Sequence, residues 1–466
     1  MINLDISIGI DADFWKQEAF DKADWGFINY LVGPNATGKS RFLEHISMES
    51  EYNLKFLDFR RSLTAQSCFY SDSLAKYANN FIEKLETEKY FKNKLDDVQK
   101  NNLKIDLISF CKNSTRGVSF NHNEGNYLEV FEKLNSNKKL KNKVNNFLLK
   151  FFCKEISFWE STFTSSELPY LGLDITNINE NKKFSPVKWE SLGIKQLIIL
   201  LTYIYDETID ILIIDEPELN LHPSLQLHLM QEIRSQAGDF NKDKSKKVFF
   251  IATHSTFIIE SINKEDVLLY FKDKNKFPFV LDIHKTDSDI NNFLLRADKQ
   301  FLFTSNPVFV EGITDKIIFS AILKKLNIKG SFFLTAGGKE EIYYYYKLCK
   351  NLNINAKFIL DLDAFLESKI KNDVLSVSEL GAEYSEFINL IGASKKERLD
   401  TLKNPDKENI PEKILNEFNK KGVYFLSKGE LEDYFSIKKG IKKASETANK
   451  IIDGLEIDKE LEILIK

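Results

Sequence analysis

A chain of 466 residues is too long for one ordinary core and implies two or three domains. With 43% hydrophobic and 29% charged residues it has the make-up of a folded globular protein, and no apolar run approaches the length that crosses a bilayer. A net charge of −4 excludes a molecule that draws in nucleic acid over its whole surface, so any such contact needs a local basic groove.

The opening residues MINLDISIGIDADFW carry acids early and lack the basic-then-apolar pattern of a secretory leader, so a cytoplasmic protein without a membrane partner is expected. Cys68, Cys111, Cys153 and Cys349 show no C-x-x-C spacing, which argues against a zinc site or a disulfide framework. The histidines are scattered too, so any metal chemistry must use carboxylates.

Over the first 60 residues the β-type runs LDISIGI, FINYLVG and LKFLDF alternate with one helix-like segment after residue 38. From about 70 to 155 proline disappears and apolar residues recur at three- and four-residue spacing. That spacing predicts a long amphipathic helix, inserted in an otherwise α/β domain. The β/α alternation returns from 190 to 300. A second α/β unit opens near 305 and runs to about 436, with strands at PVFV, SFFLT, AKFILDLD and GVYFLS. Such alternation implies a mainly parallel sheet with sites at the carboxyl ends of its strands. The tail after 437 reads as charged and helical, with no evident chemistry.

Residues 33–40, GPNATGKS, have the spacing G-x-x-x-x-G-K-S and follow the apolar run INYLV, the strand–turn–helix context of a P-loop. Gly33 and Gly38 let backbone N–H groups wrap phosphates, and Asn35 lies in the same nucleotide-binding loop. Lys39 reaches the β and γ phosphates, and Ser40 ligates Mg²⁺. Downstream, DILIIDEPELNLHP is a buried strand ending in Asp215, suited to hold Mg²⁺, and Glu216, suited to polarise the attacking water. ATP and Mg²⁺ are the cofactors this predicts.

The order P-loop, WESLGIKQ, IIDEPE, IATHS resembles the ABC-type ATPases of the SMC and Rad50 kind. That resemblance implies that Ser191 and Gly193 form a signature loop meeting the γ-phosphate of a nucleotide held by another protomer, although Leu192 stands where a small residue is commoner. It implies in turn that His254 senses that phosphate, and that the chain forms a homodimer or a higher homo-oligomer. Gln66 could be the glutamine linking Mg²⁺ to the helical insert but reads rather as ordinary surface, and His222 as a residue that caps or packs locally.

PVFVEGITDK puts Glu311 at the end of a strand and Asp315 four residues later. If a helix starts right after Gly312, the two carboxylates lie near each other. In KFILDLDAF, Asp361 and Asp363 take positions i and i+2 of another strand and are expected on one face. Carboxylates gathered at adjacent strand ends repel one another unless cations bind between them, and hard oxygen-liganded Mg²⁺ or Mn²⁺ suits that geometry. Two such ions are a known device for cleaving phosphodiesters.

The pattern E-G-x-x-D followed by D-x-D resembles a Toprim domain, and an ABC-type ATPase followed by Toprim resembles the OLD (overcoming lysogenization defect) nucleases, many linked to phage defence. The resemblance implies an α/β chain with an ATPase over residues 1–300 and a Rossmann-like Toprim nuclease over 301–466. It adds Glu432 in SKGELEDYF to the acids, and Lys428 as a group steadying the scissile phosphate. Gly337, Gly338 and Lys339 form the turn after a strand, where they could approach a nucleic-acid backbone; Lys339 reads rather as solvated, as do the lysine clusters at 133–143 and 241–247. The expected partner is nucleic acid, DNA ahead of RNA, together with a partner protein or defence-system component. Two rivals stand: a sensor or scaffold ATPase acting with a partner effector, and an SMC-like DNA-repair ATPase whose Toprim portion does not cut.

Overall fold

The computed structural model describes residues 2–8, 20–49, 52–58, 127–160, 171–180, 182–184, 190–328, 331–375, 380–404 and 410–465. By its contacts the chain divides into two compact units. Met1–Val32, Gly38–Leu269 and Lys274–Phe277 form the first; Gly33–Thr37, Tyr270–Asp273 and Pro278–Lys466 form the second.

The first unit begins with β1 (Ile2–Ile8) and β2 (Phe20–Trp25), paired antiparallel. Its central sheet uses β3 (Ile28–Val32), β4 (Leu54–Asp58), β8 (Ile211–Asp215), β9 (Val248–Ala252) and β10 (Val267–Tyr270), in the order β10-β3-β9-β8-β4. The pairs β3–β9, β9–β8 and β8–β4 are parallel. Every residue of β3, β8 and β9 is buried, as expected for strands covered on both faces and written as unbroken apolar runs. The helix Leu192–Tyr205 is buried at all but three of its positions, which explains a sequence apolar on nearly every side.

The predicted long helix differs where it is described. The chain makes two helices, Tyr127–Ser136 and Lys138–Phe152, broken at Asn137, whose side chain accepts from the Leu140 N–H at 3.0 Å and starts the second. Asparagine competes with the helical backbone in this way and favours caps over helix interiors. An antiparallel sheet of β5 (Lys154–Glu160), β6 (Leu171–Asn177) and β7 (Lys182–Phe184) follows. Residues 70–126 of the expected helix, Gln66, Cys68 and Cys111 lie outside the described residues.

The second unit holds β11 (Phe279–Asp282) and a four-stranded sheet of β12 (Pro307–Val310), β13 (Phe332–Thr335), β14 (Lys357–Leu360) and β15 (Val423–Phe425). Its order is β13-β12-β14-β15 and all its pairs are parallel. The chain leaves β12 to one side for β13 and returns to the other side for β14. The gap between the carboxyl ends of β12 and β14 is therefore a topological switch point, the usual place for a site in such a sheet. Phe309 and Phe358 stack across these strands at 5.1 Å between ring centroids. The tail after 437 forms the helices Ile441–Ile452 and Lys459–Ile465. Ala444, Ile451, Leu461 and Ile465 share one apolar core with Val310 of β12 and Ile318 of the helix Ile313–Lys325. Among the described residues no helix is long and apolar enough to cross a membrane.

Candidate functional site: an acid cluster and a P-loop

Glu311 follows β12 directly. Gly312 caps the helix Ile313–Lys325, and Asp315 turns back so that its Oδ2 accepts the Gly312 N–H at 2.9 Å. Asp361 follows β14, and its N–H donates to Glu311 Oε1 at 3.0 Å, tying the two strand ends together. The expectation that Asp361 and Asp363 share one face of a strand is corrected. β14 stops at Leu360, the chain turns, and Asp363 opens the short helix Asp363–Glu367. The turn still brings the acids together: Glu311, Asp361 and Asp363 each offer a carboxylate oxygen, and these lie within 4.8 Å of one another.

Charge crowding in poor solvent shapes their chemistry. Burial first, then the charges of Glu311 and Asp315, push the Asp361 carboxyl up to about 8. Burial likewise raises Glu311 and Asp315, and Glu432 adds to the effect on Asp315. Glu432 lies in the 3-10 helix Leu431–Phe435 and is 5% exposed. Its buried Oε1 has no hydrogen-bond partner, and neither has the buried Oδ1 of Asp363. Hard oxygen donors, mutual repulsion and buried oxygens lacking donors fit a divalent cation such as Mg²⁺ or Mn²⁺.

Three lysines stand among these acids. Lys339, read as solvated, instead pairs with Asp363. Lys395 reaches Asp363 at 3.8 Å and Glu367 at 2.5 Å. Lys439, in the tail expected to lack chemistry, pairs with Glu430 at 3.6 Å and also feels the charges of Asp361, Glu432 and Asp315. No motif marks Lys395 or Lys439 in the sequence; only the fold delivers them. The Lys428 ammonium pairs with Asp458 at 2.6 Å and lies over the Tyr434 ring.

In the other candidate site, the parallel strands β3, β8 and β9 carry their motifs at the carboxyl ends. Gly33 has φ +141°, and a Cβ there would strike the Phe271 carbonyl, so both space and conformation require glycine. Gly38 and Ala36 also take positive φ, and Thr37 Oγ1 donates to the Pro34 carbonyl at 2.8 Å. Asn35 is exposed, Lys39 is buried, and Lys39 and Ser40 open the helix Lys39–Glu49. Asp215 ends β8 fully buried, and Glu216 follows at φ +54°, an uncommon conformation for a non-glycine residue. Its Oε1 lies 3.8 Å from His254 Nε2.

Two neighbours lacked a role in the sequence reading. Asp58, at the end of β4, is the register partner of Asp215. Glu218 accepts the Thr253 hydroxyl at 2.8 Å and the His254 N–H at 2.7 Å. Ser191 is exposed and N-caps the helix Leu192–Tyr205, and a Cβ on Gly193 would strike the Asn220 carbonyl. His222 caps the helix Pro223–Gln236 as expected.

Comparison with known proteins agrees with this two-part reading. Residues 49–260 match the family described as "AAA domain, putative AbiEii toxin, Type IV TA system". Residues 302–363 match "Overcoming lysogenization defect protein-like, TOPRIM domain". The Endonuclease GajA of Bacillus cereus strain HuB5-5 is 22% identical over 83% of this chain and 57% of its own length. The same-named protein of strain VD045 is 25% identical over 49% of this chain and 39% of its own. The chain thus spans well under two thirds of these relatives. Among solved structures, the SMC head domain of Thermotoga maritima is 14% identical, covering 57% of this chain and 92% of its own, with a TM-score of 0.26. The C-terminal region of the Xanthomonas campestris OLD protein is 16% identical, covering 35% and 79%, with a TM-score of 0.18. The chain joins an AAA-type ATPase domain to a C-terminal OLD-like Toprim domain and is homologous to the GajA endonucleases.

Proposed function

We propose that the protein binds and hydrolyses ATP and cuts nucleic acid with divalent metal ions, as an endonuclease of the OLD type. Residues 1–300 serve as the ATPase and 301–466 as the nuclease. The convergence of Glu311, Asp361 and Asp363 within 4.8 Å, at the switch point of a parallel sheet, carries the reading. These three acids would hold Mg²⁺ or Mn²⁺, with Asp315, whose charge acts on Asp361, and Glu432, whose charge acts on Asp315, as further acids of the site. Bound ions supply an activated water and a hold on the leaving oxygen. Asp361, whose carboxyl is pushed up to about 8, would have to give up its proton to serve as a ligand. Glu311 keeps its grip on the Asp361 N–H and so fixes the spacing of the strand ends. Lys439 adds positive charge beside Asp361, Glu432 and Asp315.

In the ATPase, the P-loop with Lys39 and Ser40 would hold the phosphates and Mg²⁺, together with Asp215. Glu216 would orient the attacking water, beside His254. Ser191 and Gly193 would complete this site on a second protomer, making a homodimer the smallest active form, and the exposure of Ser191 supports that role. Nucleotide state then gates cutting. The OLD resemblance carries the further role in phage defence, alongside a partner component.

The test is cleavage of supercoiled plasmid and of total RNA with Mg²⁺ or Mn²⁺. Wild type is expected to cut, and Glu311→Gln to lose at least about a hundredfold in rate with ATP turnover kept. Equal cutting by Glu311→Gln would remove the acid cluster from the reaction.

A further inference from the structure

Lys339 is the first residue of the helix Lys339–Asn351, after Gly337 and Gly338 with φ +91° and +137°. A helix N-terminus carries partial positive charge, so local electrostatics oppose a cation there. The next two residues, Glu340 and Glu341, follow the ordinary preference, whereas Lys339 does not. What holds it is the acid cluster. Its ammonium pairs with Asp363 and lies in the field of Glu311 and Asp361. It is also better enclosed than Lys395, with 35% against 48% of the side chain exposed. Lys339 takes Oδ2 of Asp363, and the buried Oδ1 of the same carboxylate has no hydrogen-bond partner.

Of the three lysines, Lys339 therefore stands nearest the acids suited to a divalent ion. An ammonium and a divalent ion repel each other across a shared carboxylate. The lysine, a point charge on a flexible four-carbon stem, is the partner able to move. We propose that Lys339 is the resident counter-ion of the Glu311–Asp361–Asp363 cluster, competing with the divalent ion for Asp363 and turning to a nucleic-acid phosphate once the ion is seated. It is a positioning residue that keeps the cluster assembled before metal arrives and makes metal and substrate binding interdependent. This inference rests on reading the three acids as a metal site.

The test is calorimetric titration of Mn²⁺ into the full chain as wild type, Lys339→Met, Lys339→Arg and Asp361→Asn, followed by nucleic-acid affinity at saturating Mn²⁺. Lys339→Met is expected to bind Mn²⁺ about tenfold tighter than wild type, because one competing positive charge is gone. Lys339→Arg, which keeps the charge, should stay near wild type and guards against a folding artefact. At saturating Mn²⁺, Lys339→Met should bind nucleic acid about tenfold more weakly. Unchanged or weaker Mn²⁺ binding by Lys339→Met, with binding lost in Asp361→Asn, overturns the counter-ion role and leaves the metal site standing. Unchanged nucleic-acid affinity overturns the transfer to phosphate. Mn²⁺ binding that Asp361→Asn does not alter removes the metal site, and the inference with it.

Discussion

Asp361 is where burial and crowding leave the clearest chemical mark. Because its folded carboxyl holds a proton up to about pH 8, well above its ordinary range, protonation favours the metal-free fold. That contribution is fully present below the unfolded pKa and is lost as pH rises through about 8. A cation can bind only after the proton leaves. Mn²⁺ affinity is therefore expected to rise with pH and level off above about 8, with roughly one proton released per ion. Titrations in buffers of different ionisation enthalpy measure that release; an equal enthalpy in all of them would show no proton coupling.

Glu218 supports a second prediction at this scale. In Glu218→Ala the Thr253 hydroxyl and the His254 N–H lose their acceptor in a largely buried spot, at a cost of about 1–3 kcal/mol. ATP turnover should fall about tenfold or more with nucleotide affinity nearly kept, as fits a residue that acts through the histidine loop. A fall in affinity with kcat kept would place Glu218 in binding. Sequence alone pointed to Asp215 and Glu216, because a buried strand ending in two acids is a local signal. Glu218 was on the page as the last letter of DEPE, but its work depends on Thr253 and His254 of a different strand end, and spacing along one chain does not reveal that.

At the scale of elements, the strands of this sheet were legible because PVFV, SFFLT, AKFILDLD and GVYFLS contain short apolar runs between helix-like segments. The turn after Leu360 was not, since LDLDAF alternates as a strand would and only the backbone shows where pairing stops. The C-terminal tail is helical as expected, but its contacts were not legible for a similar reason: a charged tail conceals what its few apolar residues and its acids touch. Glu460 accepts from the Ser427 N–H at 2.9 Å and bonds the Ser427 and Tyr434 hydroxyls at 2.5 and 2.6 Å, bracing the segment that carries Glu432. Replacing Glu460 with alanine is expected to lower stability by about 1–3 kcal/mol and to weaken Mn²⁺ binding several-fold. A stability loss with Mn²⁺ affinity untouched would reduce the C-terminal helix to packing.

At the scale of the whole molecule, two sets of parallel strands each gather acidic residues at strand carboxyl ends, one set beside a P-loop and one without it. Residues 33–40 and the acid motifs announce both sites in the sequence, because phosphate cradles and carboxylate clusters require particular residue types at fixed spacings. Lys395 and Lys439, beside the acids, carry no such spacing, so they emerge only in three dimensions. The central claim is that one chain holds two separable activities. It is tested most directly by measuring ATP turnover and Mn²⁺-dependent plasmid cleavage on the same preparations of wild type, Lys39→Ala and Asp361→Asn. The account predicts that Asp361→Asn loses cleavage and keeps ATP turnover, while Lys39→Ala loses turnover and changes cleavage through its nucleotide dependence. Cleavage surviving in Asp361→Asn at the wild-type rate would contradict it.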